Sequence, residues 1–320
     1  MARRPVRRKD DAVESQAPHK QPNAGETKEK PAAHRSWSVV AYEHLPDFLK
    51  DNEFLLKGHR PHLPSIRACF KSMFRHHTET WNIWTHVIGA GVFVILTIYL
   101  LTRSDEEASF ERKLVFGIFY AGAIFCMSCS ALFHTLACYS HTVSKVFAKL
   151  DYVGIIVLIV ASYPPWLHYG FRCETLWKVV YFASVSTCGL GCSIFVLMDR
   201  FAAPRFRPIR AGMFMALGLV GVFPGVHYIL AEGWWEAIVH AWWLIFMGVL
   251  YLVGAVIYSA RVPERIWPGK FDIVGQSHQI MHVCVMGEHF PVIGVPSNWR
   301  STAMTMTICV IYHTDFVGKS

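Results

Sequence analysis

Long apolar blocks alternate with short polar stretches from residue 83 onward. Each block is about twenty residues long, the length that a helix needs to cross a bilayer. The pattern predicts seven spans, at 83–102, 114–137, 152–171, 176–198, 211–231, 237–258 and 274–296. We therefore predict an all-α membrane protein, a bundle of seven transmembrane helices.

The segments that flank the apolar blocks have a different composition. Residues 1–36 are rich in Lys, Arg, Pro and Glu and predict a disordered basic tail on the cytoplasmic side. Residues 37–80 mix apolar clusters with charges, which is typical of amphipathic helices at a membrane surface. The transmembrane bundle would then occupy 81–296, and 297–320 would form an atypical C-terminal tail.

The last apolar block is less regular than the other six. Gly287, Glu288, His289 and Pro291 interrupt it, although a spanning helix should be uniformly apolar there. The later apolar run at about 303–312 is too short to cross a bilayer. We therefore expect the seventh helix to be atypical.

The distribution of basic residues predicts the orientation. The loops after spans two, four and six carry nine Lys and Arg, those after spans one, three and five carry five, and residues 1–80 add fifteen to the first side. Cytoplasmic loops carry the excess of positive charge, so we expect a cytoplasmic N-terminus and, after seven spans, an outer C-terminus. This is the reverse of a G-protein-coupled receptor. The opening RRPVRRK is then a topology signal, and we expect no nucleic-acid partner.

Four polar side chains fall at one depth of the predicted bundle. His134 lies near the cytoplasmic end of span two, Asp151 at the cytoplasmic start of span three, and His278 and His282 in the first turns of span seven. Ionisable residues inside a membrane are costly and mark functional sites. Three histidines with one open position are typical of catalytic zinc, although imidazole also binds copper, iron and nickel.

Asp151 and Ser130 are the candidate catalytic residues beside these histidines. The pair reads H-Q-I-M-H and lacks the glutamate of HExxH, so Asp151 could hold a water and act as general base. A competing interpretation makes Asp151 a cap for the start of span three. Ser130, four residues before His134, could orient an intermediate oxygen or support a ligand.

Several other residues compete for a metal. Cys138 lies four residues after His134, and His86 lies at the inner end of span one. His227 and His240, near the outer ends of their spans, could form a second site, but two residues without a third make that weak.

A metal in the inner leaflet is reached by lipid from the bilayer and by water from the cytoplasm. Lewis-acid polarisation and water activation there suit hydrolysis of an amide or ester in a lipid. The alternative is a structural metal that ties spans two, three and seven together. The sequence pattern leaves both open.

Three stretches, 56–86, 130–155 and 277–282, resemble the adiponectin receptors of the progestin and adipoQ receptor family. They contain, in order, E-T-x-N-I-W-T-H, S-x3-H, an Asp seventeen residues after that His, and H-x3-H. The resemblance implies a seven-helix bundle in the plasma membrane with a cytoplasmic N-terminus. It implies Zn²⁺ held by three histidines, with the carboxylate holding a water; by motif these are His134, His278, His282 and Asp151.

The resemblance also implies a function. It predicts a receptor for an adiponectin-like protein hormone that regulates lipid metabolism, with ceramidase activity that releases sphingosine and a fatty acid. The alternative is a non-catalytic receptor or membrane-lipid sensor with a structural zinc. The sequence permits a homo-oligomer. Glu79, Asn82 and His86 match the family's motif before the first helix, where we expect a structural role.

Overall fold

The computed structural model describes residues 37–102, 110–201 and 203–287, and from Ser38 onward these belong to one compact unit. Every regular element in the described ranges is a helix, apart from an isolated bridge between Val40 and His59. The predicted all-α class is therefore confirmed. The predicted tails at 1–36 and 297–320 lie outside the described residues.

Within the described residues the chain forms ten α-helices joined by short loops. They are α1 (Ile66–Ser72), α2 (Thr80–Thr102), α3 (Phe110–Leu136), α4 (His141–Ala161), α5 (Tyr163–Gly170), α6 (Thr175–Leu197), α7 (Arg207–Leu219), α8 (Val222–Glu232), α9 (Trp234–Ala260) and α10 (Ser277–Gly287). Short 3₁₀ helices lie at Tyr42–His44, Asp47–Leu49, Asp199–Phe201 and Pro204–Phe206.

Six helical segments in the described residues are long and apolar enough to cross a membrane. They are Thr80–Thr102, Phe110–Leu136, His141–Gly170, Thr175–Leu197, Pro204–Glu232 and Trp242–Ala260. Each contains or overlaps one of the first six predicted spans, so these six are confirmed. The structure describes the seventh only as α10, eleven residues that end at Gly287, and residues 288–296 lie outside the described part.

The third span begins earlier than the sequence predicts. Helix α4 starts at His141 rather than near residue 152, because the side chain of Ser140 caps it by accepting the main-chain N–H of Val143 at 3.2 Å. Asp151 therefore lies well inside α4, and the interpretation of Asp151 as a helix cap is wrong. The first turns of α4 contain polar and charged residues, so the apolar pattern does not show that the helix begins there.

Helix α3 is the most buried span and packs against α2 and α4. Phe119 and Met127 of α3 are almost fully buried in its core face. Helices α3 and α4 meet closely at Gly154, where an added Cβ would lie 3.0 Å from the Cα of Cys126. Large apolar side chains are exposed on the outer faces of the spans, as lipid contact requires. The close α3–α4 contact sets the relative position of side chains on the two helices.

A buried carboxylate fixes the start of α10. Glu264 has no exposed surface, and it accepts the main-chain N–H of Ser277 at 2.8 Å and the side-chain hydroxyl of the same residue. The side chain of Asn52 donates at 3.0 Å to Oε1 of this carboxylate, the oxygen that also accepts the Ser277 hydroxyl. Gln276 adds a bond to the main-chain oxygen of Thr78 at 2.8 Å. These bonds fix where α10 begins relative to α2.

Candidate metal centre

Three imidazoles from two helices meet at one end of the bundle, here called the histidine end. His134 comes from the last turn of α3, and His278 and His282 come from successive turns on one face of α10. One ring nitrogen from each lies within 4.8 Å of the others. The ring centroids are 4.8 Å apart for His134–His278 and for His278–His282, and 5.2 Å apart for His134–His282. The predicted histidines therefore form one cluster, which could hold a metal ion.

The hydrogen bonding of His134 fits a metal ligand. The ring is 3% exposed, and among the described residues its Nε2 has no hydrogen-bond partner. A buried polar atom without a partner is uncommon, because burial removes its bonds to water. Three imidazole nitrogens are also a donor set that suits zinc. The cluster therefore combines a ligand type that could hold a metal ion with a buried ring nitrogen that has no partner among the described residues.

The two candidate catalytic residues contact each other beside this cluster. Ser130 on α3 and Asp151 on α4 are both buried, and the Ser130 hydroxyl donates a hydrogen bond to the Asp151 carboxylate. Asp151 also interacts electrostatically with His134. The structure thus brings this carboxylate and hydroxyl to the side of the cluster formed by α3 and α4.

The rival ligands have other partners. Cys138 is buried with its Sγ 3.7 Å from that of Cys69, outside the histidine cluster. Nδ1 of His227 lies 2.8 Å from the hydroxyl oxygen of Tyr181, within hydrogen-bond distance. The side chain of His240 lies outside the described part. The structure therefore places neither Cys138 nor His227 with the three histidines.

His86 lies directly against the cluster without belonging to it. Its ring stacks on that of His282 with 3.6 Å between centroids and 9° between planes. Neither of its ring nitrogens has a partner among the described residues. This stacking restricts the orientation of the His282 ring.

Glu79, for which the sequence predicts only a structural role, contacts one of the three histidines. Its Oε2 lies 2.7 Å from Nδ1 of His134 and 2.9 Å from the side-chain nitrogen of Asn82. Desolvation would raise the pKa of the Glu79 carboxyl, but the hydrogen bonds from His134 and Asn82, with the charge of Arg60, hold that pKa well below its usual range. Glu79 therefore places a carboxylate against the Nδ1 atom of His134.

Arg60 is a second residue that supports the site and that the sequence pattern does not predict. Its guanidinium donates to the main-chain oxygens of His134 and Thr135, the latter at 3.1 Å, and to Ser72 Oγ at 2.8 Å. The last carbonyls of a helix have no partner within the helix, and a cation there also offsets the helix dipole. Only the basic "GHRP" stretch hinted at such a residue in the sequence. Arg60 fixes the end of α3 that carries His134.

The fold and the site define a class: a multi-pass helical membrane protein with a buried histidine cluster at one end of its bundle. Residues 74–290 match the family described as Haemolysin-III related. The chain belongs to this family, that of the progestin and adipoQ receptors. The resemblance noted in the sequence is confirmed.

The similarity to individual relatives supports the same family assignment. The chain is 51% identical over 257 residues to the Adiponectin receptor protein of Drosophila melanogaster, covering 80% of this chain and 58% of that protein. It is 47% identical over 290 residues to Progestin and adipoQ receptor-like protein 1 of Caenorhabditis elegans, covering 88% and 66%. With the ADIPOR-like receptor IZH2 of Saccharomyces cerevisiae it shares 37% over 257 residues, covering 78% and 80%. The chain thus spans less than two thirds of the two animal relatives.

Proposed function

We propose that this protein is an adiponectin-receptor-like membrane receptor that binds one zinc ion through His134, His278 and His282. The observation that carries the proposal is the cluster itself: each of the three imidazoles places one ring nitrogen within 4.8 Å of the others, and the buried Nε2 of His134 has no hydrogen-bond partner among the described residues. Zinc accepts this ligand set, and the fourth position would remain open.

We further propose that the histidine end faces the cytoplasm. The segment before α2 and the loop after α9 contact each other at this end, where Asp272 accepts the main-chain N–H groups of Leu56 and Lys57 at 2.9 Å each. Both segments belong to the side that carries the larger number of Lys and Arg. The N-terminus would then be cytoplasmic, and the site would lie at the inner leaflet of the plasma membrane.

The chemistry that this site supports best is hydrolysis of the amide bond of ceramide. Bound zinc would supply Lewis-acid polarisation of a carbonyl and activation of water. Asp151 would orient the attacking water and accept its proton, and Ser130 would hold that carboxylate in place. The water oxygen bonds to the carbonyl carbon, the C–N bond breaks and the nitrogen takes up a proton. The products are sphingosine and a free fatty acid.

A second function is a non-catalytic receptor or membrane-lipid sensor in which the metal is structural. The observation that favours it is the origin of the ligands, since His134 comes from α3 and His278 and His282 come from α10. One ion held by both helices would tie them together. In either function, the names of the animal relatives indicate a protein hormone of the adiponectin type as the extracellular ligand.

Release of fatty acid from ceramide separates the two functions. The full chain is purified in detergent, loaded with zinc and incubated with ceramide, and fatty acid is measured by mass spectrometry. We expect release by the wild type and a loss of about 10²–10⁴-fold in Asp151→Asn with zinc retained, because a general base contributes that much. The control is Asp199→Asn, since Asp199 is exposed and pairs with Lys145 and Lys149.

Two results would contradict the catalytic proposal. A zinc-loaded wild type that releases no fatty acid would leave the structural-metal receptor as the better account. Equal rates for the wild type and Asp151→Asn would remove Asp151 from the reaction.

A further inference from the structure

Two residues at the start of α2 and directly before it contact two of the three clustered histidines. Glu79, directly before α2, contacts His134 at Nδ1, and Thr85 contacts His282 at Nδ1. In both imidazoles the contact uses Nδ1 and leaves Nε2 for other partners. The motif at the start of α2 therefore contacts two of the candidate metal ligands through their Nδ1 atoms.

The contact with Glu79 determines which nitrogen of His134 carries the proton. Oε2 of Glu79 is already the acceptor of the Asn82 side-chain N–H at 2.9 Å, so at 2.7 Å from the same oxygen Nδ1 of His134 is the nitrogen that donates. In the neutral imidazole this tautomer puts the lone pair on Nε2, the atom that is buried without a partner among the described residues. Glu79 thus selects the tautomer that a metal requires.

Thr85 has the same effect on His282 without a charge. The Thr85 hydroxyl donates to the main-chain oxygen of Trp81 at 2.7 Å, so its oxygen is free to accept the Nδ1 proton of His282 at 3.2 Å. The neutral, longer bond should hold the ring more weakly than a carboxylate does. His282 is therefore supported in the same tautomer as His134.

The position of Glu79 is itself fixed. The side chain of Asn82 donates to Glu79 at 2.9 Å, and the main-chain N–H of Glu79 donates to Nδ1 of His77 at 3.1 Å. Asn82 and His86 follow Glu79 at helical spacings of three and seven, and the His86 ring stacks on His282. The motif thus presents one face to the cluster, which explains its spacing.

We propose that Glu79 is a positioning residue for the metal site: it fixes the tautomer of His134 and raises the electron density that Nε2 offers to the ion. The proposal rests on the zinc site proposed above. A metal-bound histidine whose other nitrogen donates to a carboxylate is a more basic and better oriented ligand, and loss of such a partner typically weakens metal binding by about 10–100-fold.

The test measures metal affinity and the spectrum of a reporter ion rather than turnover. The full chain in detergent is titrated with zinc against a chelator of known affinity, and Co²⁺ is added to metal-free protein to record its visible absorption. We expect Glu79→Ala to weaken zinc binding by about 10–100-fold and to shift the Co²⁺ bands. Glu79→Gln should weaken it less, because the amide oxygen can still accept the Nδ1 proton but carries no charge.

The matched control is Glu111→Gln. Glu111 also faces a histidine, at 3.8 Å from Nε2 of His168, but it lies outside the cluster. This variant should keep the affinity and the spectrum of the wild type. Thermal unfolding of each metal-free variant separates a folding defect from a change at the metal.

The possible results distinguish this inference from the proposed function. If the wild type binds zinc and both Glu79 variants bind it with the same affinity and the same Co²⁺ spectrum, Glu79 has no positioning role, whereas the metal site stands. If the wild type binds no metal, the zinc site fails and the role of Glu79 fails with it.

Discussion

At the scale of single residues, the Ser130–Asp151 contact joins the two neighbouring helices beside the cluster. Ser130 is 1% exposed and Asp151 8%, so neither side chain can exchange its partner freely with bulk water. A hydrogen bond to a charged group contributes about 1.5–3 kcal/mol, more than a neutral one. Ser130 therefore restricts the orientation of the carboxylate that we assign as general base.

Replacing Ser130 tests this restriction. Ser130→Ala should lower the rate of ceramide hydrolysis by about 10–100-fold, because about 1.4 kcal/mol corresponds to a factor of ten. Metal content should not change, since Ser130 is not in the histidine cluster. The control is Ser184→Ala, because the exposed Ser184 hydroxyl donates to the main-chain oxygen of Val180 in its own helix at 2.7 Å. A Ser130→Ala rate equal to that of the wild type would contradict the assigned role.

The sequence predicts the histidine cluster but not its supports. His134, His278 and His282 could be placed together because their depths follow from the order and direction of the spans. Glu79 and Thr85 could not, because their partners lie 55 and 197 residues away. No periodic pattern links such distant positions, so only the folded chain reveals these contacts.

At the scale of elements, α10 is a short described helix whose first turn is fixed by a buried acid. Glu264 accepts hydrogen bonds from Ser277 and Asn52. These bonds fix the start of α10 and so the position of the helix face that carries His278 and His282. The position of the histidine pair thus depends on a loop residue outside the helix.

Removal of the Glu264 carboxyl should destabilise the protein and weaken its binding of the metal. Glu264→Ala leaves buried donors on Ser277 and Asn52 without an acceptor, so we expect a loss of about 3 kcal/mol in the free energy of unfolding. Thermal unfolding in detergent and metal content after dialysis are the measurements. The control is Glu53→Ala, since Glu53 is exposed and makes a surface ion pair with Arg261 at 3.3 Å. An unchanged unfolding temperature for Glu264→Ala would contradict the assigned anchoring.

The apolar pattern predicts which segments are helices better than it predicts where they begin. Helix α4 extends eleven residues before its predicted start because Ser140 caps a polar, amphipathic first part. The bonds that fix α10 come from loop residues such as Glu264, whose partners are set by packing rather than by local sequence. The fold class and six spans are therefore predictable, whereas helix ends and their anchors are not.

At the scale of the whole molecule, the structure and the comparisons agree on a multi-pass member of the Haemolysin-III related family. The histidine end combines the histidine cluster with the segments that carry most of the Lys and Arg among the described residues. This arrangement would place the site where lipid from the inner leaflet and water from the cytoplasm both have access. Both proposed functions depend on a metal at that place.

Metal content is the most direct test of this dependence. Elemental analysis of the full chain, purified in detergent and dialysed, should find about one zinc per chain. His134→Ala and His278→Ala should each lose most of it, and His227→Ala should keep it because His227 lies outside the cluster with Tyr181. A wild type without metal, or a metal content unchanged in both His134→Ala and His278→Ala, would contradict the metal site.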